Sequence, residues 1–97
     1  MTNFDDIIEL ALIRVNDYRL SKLYEQSEAD FQTYVDGFLI SAIPYFIECR
    51  QSLEYNLEER KFDSDLTELE KSILADLWVI CWYERDNNTY AFYIQHL

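Results

Sequence analysis

The feature that most constrains this fold is one long apolar segment in the second half of the chain, residues 66–84. It opens with Thr67 and Glu70, which have the spacing of a capping box, where each side chain accepts a hydrogen bond from the other residue's backbone amide. Between residues 73 and 83, every residue except Asp76 is apolar or aromatic. A helix that is apolar nearly all round packs between other elements, and this run is far shorter than the roughly 20 residues that span a bilayer. The segment therefore predicts a central core helix.

The composition favours an all-α fold, a small helical bundle around the helix at 66–84. The chain has 97 residues, 49% of them hydrophobic, which is enough for the core of a single domain over residues 1–97. It contains only one glycine and one proline, whereas all-β domains need many turns. The predicted core residues are Leu69, Ile73, Leu77, Trp78, Ile80, Cys81, Trp82, Phe31, Tyr34, Val35 and Phe38.

The first half of the chain has the spacing of amphipathic helices. Apolar residues recur at helical intervals over residues 4–15. The Asn16–Asp17 pair that follows either separates a second short helix or bends a continuous one. A later helix is predicted to begin at Ser27, which can cap it, and to kink or end at Pro44. Gly37, inside that helix, indicates either the close approach of another helix or a tolerated surface glycine.

Residues 48–65 are the least periodic part of the chain and predict a long connection. Leu53, Tyr55 and Phe62 are expected to anchor it. The alternation of Leu53, Tyr55 and Leu57 indicates an extended piece, while Phe46, Leu53 and Leu57 also fit one face of a helix. Ordered connections of this length are uncommon in small domains and often contact something.

The charge distribution disfavours nucleic-acid and membrane-surface binding. The formal net charge is −11, and both halves of the chain are acidic. No segment is basic enough to neutralise phosphates. The N-terminus carries Asp5, Asp6 and Glu9 where a signal peptide would be basic and then apolar. Cys49 and Cys81 lie in apolar surroundings, so we expect reduced, buried thiols in a cytosolic setting.

No residue pattern predicts catalysis or metal binding. His96, the only histidine, has no nucleophile or carboxylate at a suitable spacing. Pairs of carboxylates are expected by chance among 19 acidic residues. Asp63 and Asp65 lack the glycine and the terminal glutamate of a calcium-binding loop. We therefore expect no enzyme activity, no cofactor and no metal site.

Asp76 is the one charge inside the apolar run of the central helix. It lies either at a solvated edge of that helix or in a buried pair with an arginine such as Arg14 or Arg50, which would cost several kcal/mol to break. Trp78 and Trp82 are neighbours on the same helix, four residues apart, and are interpreted as core residues rather than a ligand cage.

The last segment, residues 89–97, is almost wholly apolar and aromatic. A solvated tail would not have this composition, so the segment either packs on its own domain or docks on a partner. Together with the two tryptophans, its aromatic residues exceed what a small domain usually buries, which favours an interface. The predicted partner-interface residues are Tyr90, Phe92, Tyr93, Ile94 and Leu97.

The order of the elements carries a family resemblance. The residues concerned are Ser27 at a helix start, Pro44-Tyr45-Phe46 at its end, Phe62 closing the connection, then Leu66-Thr67-x-x-Glu70, Ile73-Leu74-Ala75 and Trp82. In this order they resemble the small head–tail connector proteins (adaptor or neck proteins) of tailed bacteriophages.

The resemblance implies a helical subunit of a homo-oligomeric ring in the virion, assembled in the host cytoplasm. Its partners would be the portal protein and a tail-side connector, and the ring would extend the channel through which DNA leaves the capsid. DNA would pass without specific binding, since a net-negative lumen repels the duplex.

The acidic composition leaves a second function open, that of a small DNA-mimic inhibitor of a nucleic-acid-binding protein. A mimic would place its carboxylates on one face at phosphate-like spacing. The acidic residues here are dispersed, and the excess of aromatic residues would have no explanation. The connector is therefore the first hypothesis and the mimic the second.

Overall fold

A computed structural model describes residues 1–15 and 18–86. This part of the chain is mostly helical, as predicted, and it adds a small three-stranded sheet. The helices are α1 (Phe4–Val15), α2 (Tyr18–Gln26), α3 (Glu28–Ala42) and α4 (Glu68–Asp86), with a 3₁₀ turn at Ile43–Tyr45. The strands are β1 (Thr2–Asn3), β2 (Tyr55–Asn56) and β3 (Lys61–Phe62).

The predicted capping box at the start of α4 is present. The Glu70 amide donates to Thr67 Oγ1 at 3.1 Å, and the Thr67 amide donates to Glu70 Oε1 at 2.8 Å. Two amides that the first helical turn would leave unpaired are thus satisfied within four residues. Side chains of the preceding connection also stabilise the start of α4, because the side-chain amide of Gln51 and the thiol of Cys49 both donate to the Glu70 carboxylate.

Helix α3 begins and ends as the sequence predicts. The Ser27 hydroxyl accepts from the Asp30 amide at 3.2 Å, and the helix gives way to the 3₁₀ turn that contains Pro44. Nothing lies within 4 Å of the position that a side chain at Gly37 would occupy. Of the two interpretations of this glycine, the tolerated surface position is therefore correct. The two alternatives predicted for the Asn16–Asp17 pair concern residues that lie outside the described ranges, between α1 and α2.

The predicted connection at 48–65 contains a hairpin that also pairs with the N-terminus. Strand β3 lies in the middle of the sheet, antiparallel to both neighbours, with Phe62 opposite Thr2 on one side and Tyr55 on the other. Thr2 Oγ1 donates to the Ser64 carbonyl and accepts from the Leu66 amide, each at 2.8 Å. The sheet therefore fixes the start of α1 beside the start of α4.

The core lies between α1, α3 and α4, and Trp78 is at its centre. Trp78 is fully buried, and its indole nitrogen donates to the Val35 carbonyl at 2.9 Å. Its ring meets Phe38 edge-on, with the ring centroids 5.3 Å apart. From the connection, Phe62 is fully buried and Leu53 is half-buried, whereas Tyr55 stays 40% exposed with its ring against Phe4.

The prediction of a core position is wrong for two residues. Leu69 is 71% exposed and Ile80 is 50% exposed, because α4 contacts its neighbours with the opposite side. Val35, Phe38, Trp78 and Trp82 are buried as predicted. The other predicted core residues are partly buried: Phe31, Tyr34, Ile73, Leu77 and Cys81.

Candidate functional site

Leu69 and Ile80, the two exposed residues that were predicted to lie in the core, belong to a row of residues on the side of α4 that faces away from Trp78. We call it the outer face of α4, and its members are Leu69, Ile73, Asp76, Ile80 and Tyr83. Their spacing of four, three, four and three residues places them in one row on a helix of 3.6 residues per turn. Leu69, Ile80 and Tyr83 are each at least half exposed. This spacing is also the one with which a helix contacts a partner helix in a coiled coil.

Asp76 lies in the middle of the outer face and is paired with α1. The carboxylate is 66% exposed, so the interpretation as a solvated helix edge is correct and the buried pair is wrong. Arg14 is nevertheless its partner, because Asp76 Oδ1 accepts from Arg14 Nη1 at 2.7 Å. Arg14 also donates to the Ser72 carbonyl at 2.9 Å and to the Ser72 hydroxyl at 2.8 Å. The charge at the centre of the outer face is thus neutralised by α1, which leaves a surface that is apolar on both sides of one ion pair.

A second polar group, the Arg60 cluster, joins the hairpin to α1 and α3. It consists of Arg60, Asp36, Asp5 and Gln32. Arg60 Nε and Nη2 donate to the two Asp36 oxygens at 2.8 and 2.7 Å, and Nη2 also donates to Asp5 at 2.8 Å. In the amide orientation that satisfies both groups, the Gln32 oxygen accepts from Nη1 at 2.8 Å. The hydrogen bonds to Asp36, and secondarily to Asp5, raise the pKa of the Arg60 guanidinium.

Arg60 adopts an unusual backbone conformation in this cluster. Its φ angle is +56°, in the left-handed region that glycine and asparagine prefer, at the point where the hairpin turns into β3. The backbone would be relaxed with a glycine there. The hydrogen bonds of the arginine side chain give a physical reason for its presence, since they connect three elements that are far apart in sequence.

The two cysteines are free and partly buried, in line with the predicted reduced thiols. Burial raises the pKa of Cys49, whose thiol donates to Glu70 at 3.3 Å, and burial also raises the pKa of Cys81. Both thiols are therefore protonated and weakly nucleophilic at neutral pH. Among residues 1–15 and 18–86, no group of three or more His, Cys, Asp or Glu side chains is arranged to hold a metal ion.

Several of the predicted functional residues lie outside the described part of the chain. These are the predicted interface residues Tyr90, Phe92, Tyr93, Ile94 and Leu97. His96, for which no catalytic role is expected, also lies outside the described ranges. Of the helices within the described ranges, none is both long enough and apolar enough to cross a membrane.

Comparison with known proteins gives no match to a family model, a curated protein or a solved structure.

The outer face of α4 is therefore interpreted from its own geometry. Its signal was present in the sequence, as the spacing of four, three, four and three residues through Leu69, Ile73, Asp76, Ile80 and Tyr83. Leu69, Ile73 and Ile80 were predicted to lie in the core, because an apolar side chain on a helix does not reveal which neighbour covers it.

Proposed function

We propose that this protein is a structural subunit that assembles with other protein subunits, and that the outer face of α4 is a contact surface. The observation that carries the proposal is the exposure of Leu69, Ile80 and Tyr83 in one row of a helix whose other side forms the core. Single exposed apolar residues are normal on a protein surface. A row at coiled-coil spacing that is apolar except for one ion pair is instead typical of a helix that packs against another chain.

The ion pair inside the row supports a specific contact rather than nonspecific hydrophobic association. A polar residue at one position of an apolar helix seam selects register and orientation, because any other alignment buries it without a partner. Asp76, paired with Arg14, occupies such a position. A subunit that binds here would have to accommodate the pair at one defined place.

The more specific form of the proposal is a ring subunit of a phage head–tail connector, and it rests on the resemblance in the sequence. In a closed ring, each subunit uses two different surfaces, one for each neighbour. The outer face of α4 would be one of them, and the apolar segment at 89–97 is the candidate for the other. The net charge of −11 suits a ring around DNA that must slide without binding.

Sedimentation velocity from micromolar to millimolar concentration, with negative-stain microscopy, tests this proposal. We expect concentration-dependent oligomers that include closed rings. Ile80→Glu should abolish them with unchanged far-UV circular dichroism, because the carboxylate would be buried in the contact. The matched control is Ile47→Glu, at a position 88% exposed and outside α4. A wild-type chain that stays monomeric throughout, or an Ile80→Glu chain that assembles normally, would contradict the proposal.

A further inference from the structure

A second surface of the molecule, on a different side of α1, has the form of a binding groove. It lies between α1 and α3, beside α2, and has a volume of about 620 Å³. We call it the α1–α3 groove. The described residues that form its floor and rim are Ile8, Glu9 and Leu12 of α1 and Glu28, Phe31 and Val35 of α3.

The floor of the groove is apolar. Ile8 and Leu12 are one helical turn apart on α1, and Phe31 and Val35 are one turn apart on α3. Ile8 and Val35 are buried, whereas Leu12 and Phe31 are only partly covered by the fold. Burial of that remaining apolar area by a ligand would be favourable, at about 25 cal/mol for each Å² removed from water. The floor therefore suits an apolar side chain of a partner.

The rim of the groove is acidic on both sides. Glu9 lines it from α1 and Glu28 lines it from α3, and both residues are exposed. The Tyr24 hydroxyl hydrogen-bonds to Glu28, which raises the pKa of the tyrosine and keeps it neutral. Tyr24 thus positions the Glu28 carboxylate without neutralising it. A cation bound between the two rims would meet carboxylates from two helices.

Arg60 is the only basic residue among the described residues that line the groove, and it is not available to an anion. Its guanidinium already donates to Asp36, Asp5 and Gln32. An incoming phosphate or carboxylate would meet the acidic rim without a basic group to pair with. The charge of the groove therefore favours a cationic ligand.

We propose that the α1–α3 groove binds a protein segment that places an apolar side chain on the floor and a lysine or arginine against Glu9 and Glu28. An amphipathic helix with basic residues beside its apolar row has this chemistry. The groove and the outer face of α4 are distinct surfaces, since α1 uses Asp5, Glu9 and Leu12 for one and Arg14 for the other. The molecule would then hold two different protein partners.

A designed helical peptide of leucine and lysine, fluorescently labelled, is the probe for this groove. Two matched peptides isolate its parts: one has serine in place of leucine, and the other has glutamate in place of lysine. Fluorescence anisotropy measures affinity, and amide chemical shifts locate the site. We expect the leucine–lysine peptide to bind with shift changes at residues of the floor. We expect each matched peptide to bind at least about tenfold more weakly, because it lacks either the apolar area or the charge.

Charge reversal at the rim provides the matched protein variants. The double variant Glu9→Lys, Glu28→Lys should weaken binding of the leucine–lysine peptide by about tenfold or more. The control Glu48→Lys, Glu54→Lys makes the same change in net charge at exposed residues that do not line the groove, and should change affinity by less than about twofold. Circular dichroism checks that both variants keep their helical content.

Four results of the peptide experiments would overturn the proposal. They are equal binding of the serine–lysine peptide, equal binding of the leucine–glutamate peptide, equal weakening by the control variant, and shift changes confined to other surfaces. Binding of a DNA duplex in the groove would also contradict it. Ile80→Glu should leave peptide binding unchanged, so failure of this inference can be distinguished from failure of assembly through α4.

Discussion

Replacing Arg60 with methionine measures how far the fold depends on one ion-pair cluster. Arg60 donates to both oxygens of Asp36, which is only 6% exposed. The substitution would leave a charged carboxylate in a site with little water. Removing one partner of a buried pair costs about 3 to 5 kcal/mol, because the remaining charge stays desolvated. The Arg60 side chain is 19% exposed, so water can partly replace it. We therefore expect a loss near the lower end, about 3 kcal/mol.

A loss of this size would be a large part of the stability of the protein. Domains of this length unfold with a free energy of about 5 to 15 kcal/mol. For a chain of about 100 residues, 3 kcal/mol corresponds to a fall in Tm of about 12 to 24 °C. Urea unfolding at neutral pH, followed by far-UV circular dichroism, measures the change. The midpoint should fall while the slope stays constant, because the surface exposed on unfolding is nearly the same.

Two control variants separate the buried pair from the rest of the cluster. Asp5→Asn removes a partner that is 59% exposed, so its effect should stay below about 1 kcal/mol. The double variant Asp36→Leu, Arg60→Met removes both buried charges and should return to within about 1 kcal/mol of the wild type. The reasoning is refuted if Arg60→Met loses less than about 1 kcal/mol, or if the double variant is no more stable than the single one.

Two further predictions concern α3 and the start of α4. Gly37→Ala should raise the free energy of unfolding by about 0.5 to 1 kcal/mol, because alanine loses less backbone entropy than glycine when it enters a helix. No atom lies close enough to contact the new methyl group, so a destabilised variant would show that the site is not open. The hydrogen bond from the Thr67 amide, with those from Gln51 and Cys49, lowers the pKa of Glu70 below its usual 4.5. The ionised Glu70 carboxylate therefore stabilises the fold above pH 4.5, and this contribution is lost as the pH falls through the lowered pKa. Urea unfolding across the acid range should therefore show the difference between wild type and Glu70→Gln shrinking on acidification, and a constant difference would contradict this.

The helical elements could be predicted because their signals are local. The capping box at Thr67 and Glu70 and the cap at Ser27 each act over three residues, and Pro44 acts on its own helical turn. The amphipathic spacing of α1 is equally local. Such signals depend on neighbouring backbone geometry, so they predict where a helix begins and ends without knowledge of what it packs against.

The sheet and the Arg60 cluster could not be predicted in the same way. Strands of two residues are too short to show an alternating pattern. The pairing of Thr2 with Phe62 joins residues 60 positions apart, and its register depends on where α1 and α4 lie. The hydrogen bonds of Arg60 to Asp5 and Asp36 likewise require three elements to be in place first.

Helix α4 shows which of its features the amino-acid sequence determines and which depend on the tertiary structure. Its start at the capping box and its apolar character follow from residues 66–84, because they depend on local hydrogen bonds and side-chain chemistry, whereas the helix observed is shifted by two residues, to Glu68–Asp86. The order of residues does not tell which side of the helix is covered. Docking of α1 and α3 buries Trp78 and leaves Leu69 and Ile80 in solvent. Burial is a relation between elements distant in the chain, and two apolar sides of one helix become different only when neighbours cover one of them.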